Sequence, residues 1–287
     1  MRNEKEMMDI ILNFAKNDER IRIVTMEGSR LNTNVPKDRF QDFDITYIVT
    51  DMESYKENDS WLDIFGKRII MQKPENMAMF PPTLGNWFTY LMTFEDGNRI
   101  DLKLVPINEL DKYFSWTDSL LKIVLDKDTI CPPMKEASDI NFHIQKPSSE
   151  FVDDCCNEFW HLSTYVTKGL CRKEYLYAIR HLELMKEQML IMIAWKVGIE
   201  TSFSLSVGKA YKYLDKYVSE NLWKSIQQSY RYNSLDGLWD SLISSCNIFN
   251  ETTLFVTNEL KYECPQYGKN VIEYIKQFIP LEKIKNI

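Results

Sequence analysis

Apolar residues recur at helical spacing through positions 4–16 (EKEMMDIILNFAK), which predicts an amphipathic helix at the start of the chain. Positions 21–26 then form a short β-branched run that ends at the turn Glu27-Gly28-Ser29-Arg30. Positions 32–40, with Pro36, are polar and loop-like. The run 44–50 (DITYIVT) is a strong strand, and 61–65 predicts a short helix. Two further strands, 87–94 and 99–105, flank Glu95-Asp96-Gly97-Asn98, and Asp-Gly between apolar runs predicts a hairpin. Residues 107–114 suit a helix, and 120–125 is a last short strand or an apolar connection.

The pattern changes after Cys131-Pro132-Pro133. Ser148-Ser149-Glu150 offers a serine cap and an acid for a helix N-terminus, and strand signals mostly vanish beyond it. Residues 151–168, 173–197, 207–217, 222–230, 235–259 and 271–278 all carry helical patterns. An α/β domain over 1–140 is therefore expected first, and an all-helical domain over 148–287 after it, with the boundary between 135 and 150.

The 287 residues include 35 basic and 42 acidic side chains, a net charge of −7. That balance counts against a nucleic-acid partner, whose phosphates are bound through a Lys/Arg surface. It suits a cationic small molecule, which an acidic field steers inward. No apolar run approaches the roughly 20 residues of a membrane span, and MRNEKEMMDIILNF contains no signal-peptide core, so a cytoplasmic protein is expected. The six cysteines lack CxxC spacing and read as free thiols, and the three histidines form no zinc motif.

Candidate chemistry concentrates in three places: Gly28-Ser29-Arg30, Asp42-Phe43-Asp44, and Asp101 within the apolar run 100–105. On a strand, residues two apart share a face, so Asp42 and Asp44 project together. Acids held side by side repel unless a cation lies between them, and hard divalent cations take oxygen ligands. A small Gly-Ser turn lets backbone N–H groups approach phosphates, and Arg30 could reach a phosphate or a neighbouring acid. Taken singly, Asp42 could merely open a strand, and Asp101 could pair with Arg99 or Lys103. Together and in this order, they point to a magnesium site that holds nucleotide phosphates.

This order resembles the nucleotidyltransferase superfamily of the polymerase-β type. The stretches Val24-Thr25-Met26-Glu27-Gly28-Ser29-Arg30, Phe40-Gln41-Asp42-Phe43-Asp44-Ile45, Trp61-Leu62-Asp63-Ile64-Phe65-Gly66 and Asp96-Gly97-Asn98-Arg99-Ile100-Asp101-Leu102 look like the aminoglycoside 6-adenylyltransferases. Leu84-Gly85-Asn86-Trp87-Phe88, Cys155-Cys156-Asn157-Glu158-Phe159-Trp160, Thr164-Tyr165-Val166-Thr167-Lys168-Gly169-Leu170 and Gly208-Lys209-Ala210-Tyr211-Lys212-Tyr213 extend the match over nearly the whole chain. The resemblance implies an α+β fold, with a mixed β-sheet flanked by helices followed by an all-helical bundle. It implies transfer of AMP from ATP to the 6-hydroxyl of streptomycin, with release of pyrophosphate. Asp42, Asp44 and Asp101 would hold two Mg²⁺ ions, and Asp101 is the candidate to take the hydroxyl proton. Gly28, Ser29, Arg30, Lys209 and Lys212 would meet ATP, the two lysines from one helix face. Glu158, Trp160 and Glu174 are candidates for the drug's guanidinium groups, though an aromatic such as Trp160 is more often core and acids there more often serve a helix start. A monomer is expected. The fold is also compatible with another acceptor, or with a nucleotide-binding module that does not turn over.

Overall fold

The computed structural model describes residues 2–287 as two compact units, the first ending at Asn141 and the second running from Phe142 to Ile287. The first is built on a six-stranded sheet of β1 (Ile21–Glu27), β2 (Phe43–Val49), β3 (Arg68–Gln72), β4 (Phe88–Phe94), β5 (Arg99–Pro106) and β6 (Leu121–Asp126). The spatial order is β3-β4-β5-β2-β1-β6. Only β2 and β5 run parallel, so the sheet is mixed.

The alternation along β2 sorts its side chains between two layers. Phe43, Ile45, Tyr47 and Val49 join a core with Met7, Ile11 and Ala15 of α1 (Glu4–Asn17), the amphipathic helix expected at the start. Asn3 caps α1 in a reciprocal capping box with Glu6. Residue Ile48 faces the other way and joins Ile23, Val105, Trp87, Leu121 and Tyr113. Tyr113 comes from α3 (Leu110–Trp116), while α2 (Glu53–Lys56) is a single turn that buries Tyr55. The hairpin at Asp96-Gly97 forms with Gly97 at φ +79° and a bond from its N–H to the Phe94 carbonyl. Strand β3 has no counterpart in the sequence pattern. Its Ile69 and Ile70 are both well exposed, so it carries no alternating pattern and pairs only along one edge.

The second unit packs α4 (Ser149–Cys171), α5 (Tyr175–Glu200), α6 (Glu220–Gln228), α7 (Leu235–Leu260) and α8 (Tyr267–Lys276) around one apolar core. Serine caps start α4, α6 and α7 at Ser148, Ser219 and Ser234. The helix expected over 207–217 does not form. Gly208 has φ +78°, Ala210 and Tyr211 are also left-handed, and only two 3-10 turns remain. The Tyr213 ring lies where a Cβ on Gly208 would fall, at 2.7 Å, so this packing needs the glycine's turn and excludes the helix. Among the described residues no helix is long and apolar enough to cross a membrane.

One buried cation gives this core a pH dependence. Lys186 is 1% exposed and donates to the Ser229 carbonyl, to Ser241 Oγ at 2.9 Å and to the Tyr232 hydroxyl at 3.3 Å. The Tyr230 and Tyr232 rings lie over it at 3.8 and 4.6 Å. Burial pushes its ammonium down to about 7, and Glu183 only partly opposes that shift. The folded value lies below the unfolded one, so stability is lost as pH falls from the unfolded value toward 7. Between pH 7 and 9 the wild type should gain roughly 2 kcal/mol on Lys186→Met in urea unfolding. Parallel profiles would mean that Lys186 stays protonated in the fold.

Candidate active site

Along the α3 face of the sheet, side chains grade from apolar to charged toward the N-terminal ends of β2 and β5. Ile48 lies beside Val105, Thr46 beside Lys103, and Asp44 beside Asp101. On the other flank of β2, Thr25 pairs with Thr46 and Glu27 with Asp44. Register alone therefore sets Glu27, Asp44 and Asp101 in a row across three strands, with Asp42 two residues before Asp44 on the same face. The structure thus brings together the three acids singled out in the sequence and adds a fourth.

Such a cluster is electrostatically costly, and Asp44 carries most of the cost. Burial, followed by the charges of Asp101, Asp42 and Glu27, pushes its carboxyl up to about 7, against the opposing charge of Lys103. Arg99 is the local counter-charge: its guanidinium donates to Asp101 at 2.9 and 3.2 Å and stands 3.8 Å from Asp42 Oδ2. Asp101 therefore does pair with Arg99. Among the described residues no three acidic, histidine or cysteine side chains enclose a common point, and Asp101 is turned toward that guanidinium. The donor set still fits a divalent cation. It is all oxygen, it is crowded with like charge, and a positive group already stands against two of its members.

The turn after β1 is shaped to that cluster. Gly28 has φ +76°, and a Cβ there would lie 2.3 Å from Asp44 Oδ2. Its N–H bonds to the Leu120 carbonyl at 3.0 Å, fastening the turn to the start of β6. Ser29 follows in the same 3-10 turn, and its carbonyl accepts from Gln41 Nε2 at 3.1 Å. Arg30 is turned into the protein. It donates to the Asp42 and Gln41 carbonyls at 2.9 and 2.7 Å and stacks 3.6 Å from the Phe43 ring. In this arrangement it braces the strand that carries Asp42 and Asp44, and a second contact reaches Glu4 at 3.4 Å.

Beneath the acids lies a network absent from the sequence reading. Glu27 accepts from Thr46 Oγ1 at 2.5 Å, from the Tyr113 hydroxyl at 2.7 Å and from Lys103 Nζ at 3.1 Å. Its only sequence signal is an acid placed directly before Gly28.

The remaining candidates lie in the helical unit and do not converge on one another. Lys209 and Lys212 are exposed on the irregular segment after Gly208, so the shared helix face expected for them does not exist. Trp160 is 3% exposed and packs edge-on to Phe159 and Phe249, which is the core alternative. Glu158 is exposed on α4, and Glu174 is exposed ahead of α5, 4.0 Å from Arg172. The acids near the start of α4 do line a cavity. Glu150, Asp153 and Asp154 face Glu263 and Tyr267 around about 730 Å³. Lys168 lies over the rings of Tyr165 and Tyr177 at 4.6 and 5.3 Å. Among the described residues it has no carboxylate within ion-pair distance.

Behind the Gly-Ser turn the mixed sheet sets Asp44 and Asp101 in register, with Asp42 two residues before Asp44, which is the nucleotidyltransferase arrangement that the sequence resemblance implies. The family model described as streptomycin adenylyltransferase matches residues 1–278. The aminoglycoside 6-adenylyltransferase of Bacillus subtilis (strain 168) is 50% identical over 275 residues, covering 96% of this chain and 97% of the relative. That of Campylobacter jejuni is 49% identical over 278 residues, covering 96% and 95%. That of Staphylococcus aureus is 36% identical over 277 residues, covering 96% and 98%. A crystal structure of an aminoglycoside 6-adenyltransferase from Bacillus subtilis is 45% identical, covers 97% of this chain and 99% of its own, and superposes with a TM-score of 0.48. The chain belongs to the streptomycin adenylyltransferase family and is an adenylyltransferase.

Proposed function

We propose that the protein transfers AMP from ATP to the 6-hydroxyl of streptomycin, releasing pyrophosphate and so conferring resistance. The observation that supports the chemistry is the cluster of Asp42, Asp44 and Asp101 beside the Gly28-Ser29 turn. The acceptor rests on the relatives, whose names specify aminoglycoside 6-adenylyl transfer, and on the acidic balance of the chain.

In this reading the three aspartates hold two Mg²⁺ ions. When bound, the metals supply charge neutralisation at the phosphates and acidify the attacking hydroxyl. Asp44, central in the row, takes the largest relief of repulsion on metal binding. Ser29 offers a hydroxyl and the Gly28 turn a close backbone approach to the triphosphate. Asp101 is the candidate to accept the acceptor's proton once Arg99 releases it, and Arg99 would then be free to meet phosphate oxygens. Lys209 and Lys212, exposed on the segment after Gly208, are the candidates for the triphosphate, and Lys168, half-buried and without a carboxylate partner among the described residues, is a third. Glu158 and Glu174 remain available to a cationic drug, whereas Trp160 is committed to the core. The protein is taken to act as a cytoplasmic monomer without a nucleic-acid partner.

The test is pyrophosphate release from Mg²⁺ and ATP with streptomycin, spectinomycin, kanamycin or no acceptor. Release with streptomycin alone is expected. Release that is independent of any acceptor, or absent with every drug, would reject the assignment.

A further inference from the structure

Trp116 closes α3 with a large ring that is 55% exposed, yet the ring is firmly mounted. Trp87 meets it edge-on, with centroids 5.1 Å apart and planes at 86°. Lys103 Nζ lies 4.8 Å from its centroid, and that lysine is itself anchored on Glu27. Trp87 is fixed in turn by its indole N–H, which donates to Glu109 at 2.8 Å, and by its edge contact with Tyr113. Single exposed apolar residues are ordinary, and most need no explanation. An exposed indole is different when buried neighbours hold it against a residue two positions along the strand from Asp101.

We propose that Trp116 is the platform on which a guanidinium group of the acceptor stacks, and so a specificity-determining residue of the acceptor site. The inference rests on the adenylyl-transfer reading above for the identity of the acceptor. Indole offers the strongest π face for a cation, and planar guanidinium groups stack on it more readily than compact ammonium groups do. Lys103 approaches one side of the ring and keeps its charge satisfied on Glu27, which leaves the remaining exposed surface for the ligand. The Asp42, Asp44 and Asp101 cluster lies along the same face of the sheet and supplies the negative field that draws a polycation there. A drug seated this way presents a hydroxyl to the carboxylates while its cationic substituent lies on the indole.

The experiment is calorimetric binding of streptomycin and, separately, of Mg²⁺–ATP to the full-length wild type, Trp116→Ala and Trp116→Phe, with steady-state kinetics alongside. For Trp116→Ala, the drug's Kd and KM should rise about tenfold, while ATP affinity and kcat at saturating drug stay within about twofold. Trp116→Phe should recover most of the loss, because it keeps a π face. Wild-type drug affinity in Trp116→Ala would overturn the inference and leave the adenylyltransferase reading untouched. Equal losses for drug and ATP would also overturn it, as they would show a structural role through Trp87. Absence of drug binding by the wild type would instead remove the acceptor assignment, and this inference with it.

Discussion

Asp44→Asn should lower adenylyl transfer by about 10³-fold or more while making the metal-free protein harder to unfold. Both effects come from one arrangement. Asp44 lies between Asp101 and Glu27 in the sheet, and burial and those neighbours push its carboxyl up to about 7. Its folded value is above its unfolded one, so ionisation costs stability. The cost is absent below about pH 4 and complete above pH 7. The amide has the same shape without the charge, so at pH 8 the variant should gain about 2–4 kcal/mol over the metal-free wild type. Mg²⁺ should narrow that gap by stabilising the wild type more than the variant, since it relieves repulsion that the amide lacks. Thermal unfolding with and without Mg²⁺ checks both halves. A variant that keeps full turnover would remove Asp44 from the metal site.

Gly28→Ala should cost about 100-fold in kcat, through geometry rather than charge. The glycine occupies φ +76°, where an alanine pays roughly 1–2 kcal/mol. The added methyl would also fall 2.3 Å from Asp44 Oδ2 and 3.0 Å from its Cγ, so the carboxylate must move. Gly97→Ala separates the two contributions. Gly97 shares the left-handed conformation, with φ +79°, in the hairpin between β4 and β5. It should lose similar stability with kcat preserved. Equal kcat losses at both positions would show that strain, and not displacement of Asp44, is the cause.

Much of this site is legible in the sequence because strands expose their pattern two residues at a time. The apolar alternation around Asp44 and Asp101 marks both strands, and β2 and β5 form within a residue or two of the expected bounds. What the sequence lacks is register. Glu27 and Lys103 look like ordinary strand-end and surface charges until cross-strand pairing sets them against Asp44 and Thr46. Arg30 shows the same gap in reverse. A guanidinium beside a phosphate turn reads as a ligand contact, while the fold spends it on two backbone carbonyls and the Phe43 ring. Residues 207–217 carry helical spacing, but the Tyr213 ring against Gly208 is a tertiary contact that local propensity does not register. Trp160 illustrates how an aromatic beside acids can serve either a core or a ligand; burial decides for the core.

The most direct test of the central claim is the mass and NMR spectrum of streptomycin after incubation with the protein, Mg²⁺ and ATP. The account predicts a drug heavier by one adenylyl group, attached through phosphorus to the 6-hydroxyl, with no product from Asp44→Asn. Unmodified drug, or AMP on a different hydroxyl, would contradict it.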